Sequence, residues 1–321
     1  MLRATLHQTP TFARLASADR ILIAGAGGGF DILSGLPLAL SLTALGKTVH
    51  LANLTFSYMG GSDAALLAPA LYEVRGTTEG DPRYFPEKHL ARWLGGKGLR
   101  DRVYCFEKTG VAPLRNAYAH LAERLDLDAV VLVDGGTDIL MHGDEVGLGT
   151  PAEDITSLMA VRSLEGVDKL VSCVGFGVDS FHGVVHADFL ENTAALAKAG
   201  AYLGVHALIP GSPEVEAWLE ALAFVHAETA GRESIVNSSI ADAVRGEFGD
   251  HHALERTRRS GTELFINPLM SLVWGFDLDA VADRCLYGPA LRHTNTIFEV
   301  QAIIEAFRKD VAKRPRRALP M

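Results

Sequence analysis

Cysteine is scarce: only Cys105, Cys173 and Cys285 occur in 321 residues. An odd number at wide spacing offers no disulfide framework. Cys105 and Cys173 fall in apolar runs, where a free thiol behaves as a small hydrophobe. A reducing compartment is the expectation. Positive charge is also short: 30 Lys and Arg against 39 Asp and Glu leave a formal charge of −9. That balance argues against non-specific binding to nucleic acid or an anionic membrane. No apolar run reaches membrane-spanning length, because Asp31 interrupts the longest candidate. The stretch MLRATLHQTPTFARLASADR lacks an apolar core of signal-peptide length. There is no internal repeat and no low-complexity linker. These absences predict a soluble, cytoplasmic protein whose partner is a small-molecule ligand, with the oligomeric state left open.

What is present is a repeated arrangement of apolar strand, glycines and an acid. Residues 129–133 are five apolar positions rich in β-branched types, the pattern of a buried parallel strand. The run halts on Asp134-Gly135-Gly136-Thr137-Asp138, and further acids follow at Asp144, Glu145, Glu153 and Asp154. Ligands of open α/β sheets bind beyond the carboxyl ends of the strands. Asp134 would stand at that rim, while Gly135 and Gly136 let the backbone turn and approach a ligand. An ordinary Asp-Gly turn is the alternative; the long, carboxylate-bearing loop favours a site. Glu153 and Asp154 fall in the first turn of a helix predicted over 155–164. The helix dipole explains acids there, which assigns both to the helix rather than to the site.

Residues 20–54 read as a βαβ unit with strands at 21–24 and 49–54 and a helix over 32–45. Gly27, Gly28 and Gly29 can present backbone N–H groups to a phosphate or carboxylate. Asp31 is either a helix cap or a ligand group suited to a hydroxyl, an amine or a metal. Reading G-x-G-x-x-G from Gly25 puts Phe30 at the third glycine, and the second strand ends in Asn53-Leu54-Thr55 rather than an acid. The dinucleotide fingerprint is therefore incomplete.

Further strands are predicted at 102–106, 170–174, 200–205, 234–239 and 263–268, with helices over 117–125 and 213–227. Their ends place Asp179, Asn237, Ser238 and Asn267 as ligand-binding candidates. Residues 55–100 look like a long binding or covering segment, in which Trp93 with Arg92 or Lys97 would either cover a ligand or anchor packing. The segment from Gly249 to Arg259 supplies Arg256, Arg258 and Arg259, a possible anion clamp or a solvated surface. His182 and His186 are four apart, but Gly183 weakens a helix between them and replaces the glutamate of H-E-x-x-H. Zinc is therefore not expected, and His182 is retained as a ligand-binding candidate.

Eight predicted strands alternating with helices imply an α/β fold: one doubly wound, mostly parallel, Rossmann-like sheet with helices on both faces. The organisation expected is an N-terminal arm over 1–18, a single domain over 19–307 and a basic, frayed tail over 308–321.

The stretches GAGGGFDILSGLPLA, VDGGTDILMHGDEVGLGTPAED and GFGVD resemble the family known as domain of unknown function 1152 (DUF1152). The resemblance runs from about Asp19 to Leu286 and implies an α/β domain with a Gly-rich loop after the first strand. It brings no activity and no catalytic residues. SFHGVVHADFLEN and EFGDHH look like features of one branch.

The function expected from the residues is an enzyme performing hydrolysis or group transfer on a nucleotide-like or phosphorylated metabolite. Gly27, Gly28 and Gly29 would hold the anion. Asp134, Asp138 and Asp144 would be the catalytic acids, with Asp134 and Asp138 as ligands for Mg²⁺. The alternatives are a non-catalytic metabolite sensor and a dinucleotide-dependent oxidoreductase.

Overall fold

A strand covered on both faces needs apolar residues throughout, and β1 (Arg20–Gly25) meets that need. It lies at the centre of a nine-stranded sheet in the computed structural model, which describes residues 8–319. The sheet continues in chain order through β2 (Thr48–Thr55), β3 (Ala65–Ala68), β4 (Leu71–Arg75) and β5 (Arg102–Glu107). Next come β6 (Ala129–Asp134), β7 (Asp168–Val174) and β8 (Tyr202–Ala207). A two-residue pair, β9 (Gly249–Asp250) and β10 (Phe265–Ile266), stands apart, and β11 (Leu272–Asp277) returns to the main sheet.

The spatial order is β3-β4-β5-β2-β1-β6-β7-β11-β8. The five strands β5, β2, β1, β6 and β7 are parallel, while β4 and β11 join antiparallel on either side. Chain direction through the sheet reverses between β1 and β6, which pair Gly25 with Val133. That junction is where an α/β sheet opens a crevice.

Alternation along each strand divides the core in two. Leu22, Ala24, Leu132 and Val171 point to one layer; Ile21, Ile23, Val131 and Val133 point to the other. The first layer is covered by α5 (Val111–Leu125), α6 (Pro151–Arg162), α11 (Leu278–Arg284) and α12 (Ile297–Asp310). The second is covered by α3 (Leu36–Ala44), α4 (Pro86–Gly96), α8 (Pro213–Glu228) and α9 (Ile235–Arg245). The expected doubly wound, Rossmann-like α/β architecture is the observed one.

Three local expectations are corrected. Residues 234–239 begin a helix, not a strand: Ser234 caps α9 by accepting from the Asn237 N–H at 3.0 Å, and this cap outweighs the β-branched pair Ile235-Val236. Residues 263–268 contribute only β10, which pairs with β9 and not with the main sheet. The last strand of the main sheet is β11, whose mixed exposure next to β8 conceals it in the sequence. The irregular segment 55–100 holds the antiparallel extension β3–β4, and α5 starts at Val111 because Pro113 is tolerated in a first helical turn.

The loop after β1 leads into α2 (Asp31–Ser34), then Gly35 and α3. A Cβ at Gly35 would lie 2.7 Å from the Ile23 Cγ2. Gly35 thus provides the close helix–sheet approach that Phe30 cannot.

Candidate functional site

Four loops meet at the carboxyl ends of β1, β6 and β7. The turn after β1 supplies Asp31. The end of β6 supplies Asp134, and the short 3-10 turn Asp138–Leu140 supplies Asp138. The turn after β7 brings Asp179, in the 3-10 segment Val178–His182. The first turn of α6 brings Asp154. All five carboxylates line one cavity of about 910 Å³.

Backbone amides orient these acids. The Gly27 N–H donates to Asp31 Oδ2 at 2.7 Å, and the Ile139 N–H donates to Asp134 Oδ2 at 3.2 Å. Thr137 donates to Asp179 Oδ2 through its N–H at 2.6 Å and its hydroxyl at 3.2 Å. The Thr150 N–H donates to Asp138 Oδ2 at 2.7 Å. Asp154 differs: it is 3% exposed, and its Oδ1 has no hydrogen-bond partner among the described residues. One oxygen each of Asp31, Asp134 and Asp154 lie within 4.8 Å of one another.

Among the described residues, none of the five acids has an ion-pair partner; Lys108, near Asp154, pairs with Glu153 instead. Burial is therefore offset by hydrogen bonds alone and by no cation. It raises Asp138 to about 8, with the negative charge of Asp179 adding to the effect. Burial raises Asp31 to about 7 and Asp179 to about 6, each held back by the amides it accepts from. Asp134 and Asp154 are pushed well above the usual carboxylate range by burial and then by the neighbouring acids.

The glycine loop runs close to two side chains. A Cβ on Gly27 would stand 2.6 Å from Asp154 Oδ1, and one on Gly28 would stand 2.6 Å from the Phe56 ring. Gly27 and Gly28 therefore face a carboxylate and an aromatic ring at the cavity wall. Gly27→Ala is expected to cost about 1–3 kcal/mol, the range for overpacking a close-fitted position. Thermal unfolding checks this, and an unchanged melting temperature would contradict the close approach.

The structure brings together Gly27, Gly28, Asp31, Asp134, Gly135, Asp138, Asp179 and His182 around the cavity. Gly29 and Gly136 lie just behind it; a Cβ on Gly136 would meet Asp179 Oδ2 at 2.8 Å. Asn53 sits below the loop and donates to the Gly29 carbonyl and to Glu87, both at 2.8 Å, so it supports the turn from beneath. Asn237 and Ser238 lie on α9; Asn237 contacts Ser34 and the Phe30 carbonyl rather than the cavity. Asn267 caps a 3-10 turn by accepting from the Leu269 N–H at 3.0 Å.

Asp144 is not brought to the cluster. It pairs with His142 at 2.9 Å and with Arg314 at 2.9 Å. Of the two acids expected as Mg²⁺ ligands, Asp134 belongs to the close three-oxygen group with Asp31 and Asp154, and Asp138 stands outside that group. His182 ends its 3-10 segment, Gly183 turns with φ +88°, and His186 starts α7 (His186–Lys198) and packs on Phe176. The two histidines therefore do not share a helix face. Of the arginine clamp, Arg256 and nearby His252 reach the cavity, on and just before α10 (Glu255–Ser260). Arg258 and Arg259 pair with Glu255 at the surface. Trp93 is a packing anchor, donating to Glu220 at 3.3 Å.

Sequence reasoning missed Asp154. The available signal was Thr150-Pro151, which starts α6 four residues earlier than the predicted helix. That shift brings the acids of its first turn to the strand ends.

The family described as protein of unknown function (DUF1152) matches residues 88–308. The matched span contains Asp134, Asp138, Asp154 and Asp179; Asp31 and the glycine loop precede it. No curated protein matches the chain, and no solved structure matches it. No helix of the described residues is long and apolar enough to cross a membrane.

Proposed function

We propose a function for this pocket from the premise that the chain belongs to the DUF1152 family, whose description, protein of unknown function, assigns no reaction. The reading is an enzyme that performs hydrolysis or group transfer on a phosphorylated or nucleotide-like small molecule. The observation that carries it is the convergence of five carboxylates from four loops on the floor of a cavity of about 910 Å³. A protein that only held its fold together would not gather this many buried carboxyls without a cation at the crevice where α/β sheets bind ligands.

The roles follow from the environments. Carboxyls whose affinities for a proton are driven apart can divide acid and base work. Asp179, at about 6, is largely ionised near neutral pH and suits the base that takes a proton from a water or hydroxyl nucleophile. Asp138, at about 8, retains its proton and suits the acid that delivers it to the departing oxygen. Arg256, His252 and Lys108 line the same cavity and suit the anionic part of the substrate. An ionised Asp154 carboxylate beside Gly27 would repel a bare phosphate, which favours a binding mode where the anion meets these cations instead.

The test is a turnover screen of nucleotides and sugar phosphates, run with Mg²⁺ and with chelator. Asp138→Asn should lower kcat by on the order of 10²–10⁴-fold, the usual contribution of a positioned acid or base. A compound that stabilises the wild type and the variant equally, with no conversion by either, would replace this reading with a non-catalytic binder.

A further inference from the structure

We infer that Asp31, Asp134 and Asp154 are the protein ligands of a hard divalent cation, of the Mg²⁺ or Mn²⁺ class, seated on the cavity floor. The inference deepens the enzyme reading above by supplying its cofactor, but its evidence concerns binding alone.

Three observations meet here. The first is spacing: one oxygen from each acid lies within 4.8 Å of the others. A small divalent ion holds its oxygens at about 2.1 Å, which places neighbours roughly 3 Å apart and opposites roughly 4.2 Å apart. A modest inward movement on ion binding closes the difference. The second is orientation. Asp31 and Asp134 each commit Oδ2 to a backbone amide, which orients both carboxylates at the cavity wall.

The third is independent of the clustering. Asp154 Oδ1 is buried against the cavity with no hydrogen-bond partner among the described residues. A buried polar atom without a partner is costly, and a carboxylate oxygen more so. Gly27 makes room for this side chain, because a Cβ there would lie 2.6 and 2.7 Å from its two oxygens. An unpaired carboxylate held in a fitted recess beside two others is what a cation would complete. All-oxygen ligation selects hard ions over zinc or copper.

The test uses the metal alone on the full chain stripped with chelator. Mn²⁺ titration followed by electron paramagnetic resonance should show one bound ion per chain in the wild type. Millimolar Mg²⁺ or Mn²⁺ should raise the melting temperature by several degrees. Asp154→Asn and Asp134→Asn should each weaken Mn²⁺ binding at least tenfold, while their metal-free melting temperatures equal or exceed that of the wild type. Asp144→Asn, outside the cluster, should bind as the wild type does. Wild-type protein that binds no Mn²⁺ up to 5 mM, or Asp154→Asn binding it unchanged, would overturn the site. Binding without turnover of any phosphorylated compound would leave the site standing and remove the enzyme reading; turnover in chelator without Mn²⁺ binding would do the opposite.

Discussion

Metal-free protein should lose stability as pH rises from 6.5 to 8.5, against the usual expectation of a plateau near neutrality. Asp31 at about 7 and Asp138 at about 8 hold protons in the folded state that an unfolded aspartate, near 3.8, has already released. Where the folded state binds more protons, stability falls with increasing pH. This contribution is complete below the unfolded value and is lost as pH passes through the folded values. Histidines act in the opposite sense at lower pH. Burial holds His50, His206 and His226 at about 4, so their ionisation favours unfolding below roughly 6.5. Unfolded histidines are half protonated at about 6.5 and neutral by about 7.5, so they offset part of the loss up to that pH, and above it the aspartates act alone.

For Asp138, the interval from 6.5 to 8 at about 1.4 kcal/mol per pH unit amounts to about 2 kcal/mol. In a chain of this size that lowers the melting temperature by about 3 °C. Scanning calorimetry in chelator measures it. Saturating Mg²⁺ should flatten the profile, because a cation stabilises the ionised carboxylates. A melting temperature that rises across the same interval without metal would refute the burial of uncompensated acids.

Arg314→Ala is expected to carry a large cost although it lies outside the cavity, near the end of the chain. The region after 308 reads as a frayed basic tail, yet Arg314 reaches Asp144 at 2.9 Å, Glu145 at 2.7 Å and Glu191 at 3.2 Å. Glu145 is fully buried. Removing one partner of a buried pair leaves an uncompensated charge, typically a loss of about 3–5 kcal/mol. Glu145 also accepts from the His142 and Gly143 amides and from Asn192, so about 2–3 kcal/mol is the expectation here. Arg308 clamps the same loop through the carbonyls of Gly143, Glu145 and Val146. Because that loop leads directly to Thr150, the donor to Asp138, loosening it should also reduce any turnover. Denaturant unfolding reads the first effect. A variant within 0.5 kcal/mol of the wild type, the usual range for surface substitutions, would show that Arg314 does not pin the loop.

Much of this arrangement was legible before any coordinates. The runs at 21–24, 129–133 and 170–174 could be placed as buried parallel strands because burial on both faces demands continuous apolar residues. Their abrupt endings in glycine and aspartate put Asp134, Asp138 and Asp179 at the strand ends, where the structure has them. Errors gathered where a local signal had two readings. Ile235-Val236 has strand composition but follows a serine cap. Trp274-Gly275 lacks continuous apolar character because β11 is only partly covered, and it went unseen. Asp144 follows Asp138 closely in sequence, yet its loop turns outward to meet the C-terminal segment.

Chain periodicity by itself thus determined the α/β class, the parallel core and the edge of the sheet carrying the acids, since these depend on local burial and turn chemistry. Only the tertiary structure decided which acids share a site. Asp154 in isolation is an unremarkable acid in a helix's first turn, favoured there by the dipole. It becomes part of the cavity because β6 lies beside β1, which brings α6 against the glycine loop, and because Gly27 has no side chain to keep the carboxylate out. Proximity between distant segments is set by strand order and close packing, and neither leaves a periodic trace in the sequence.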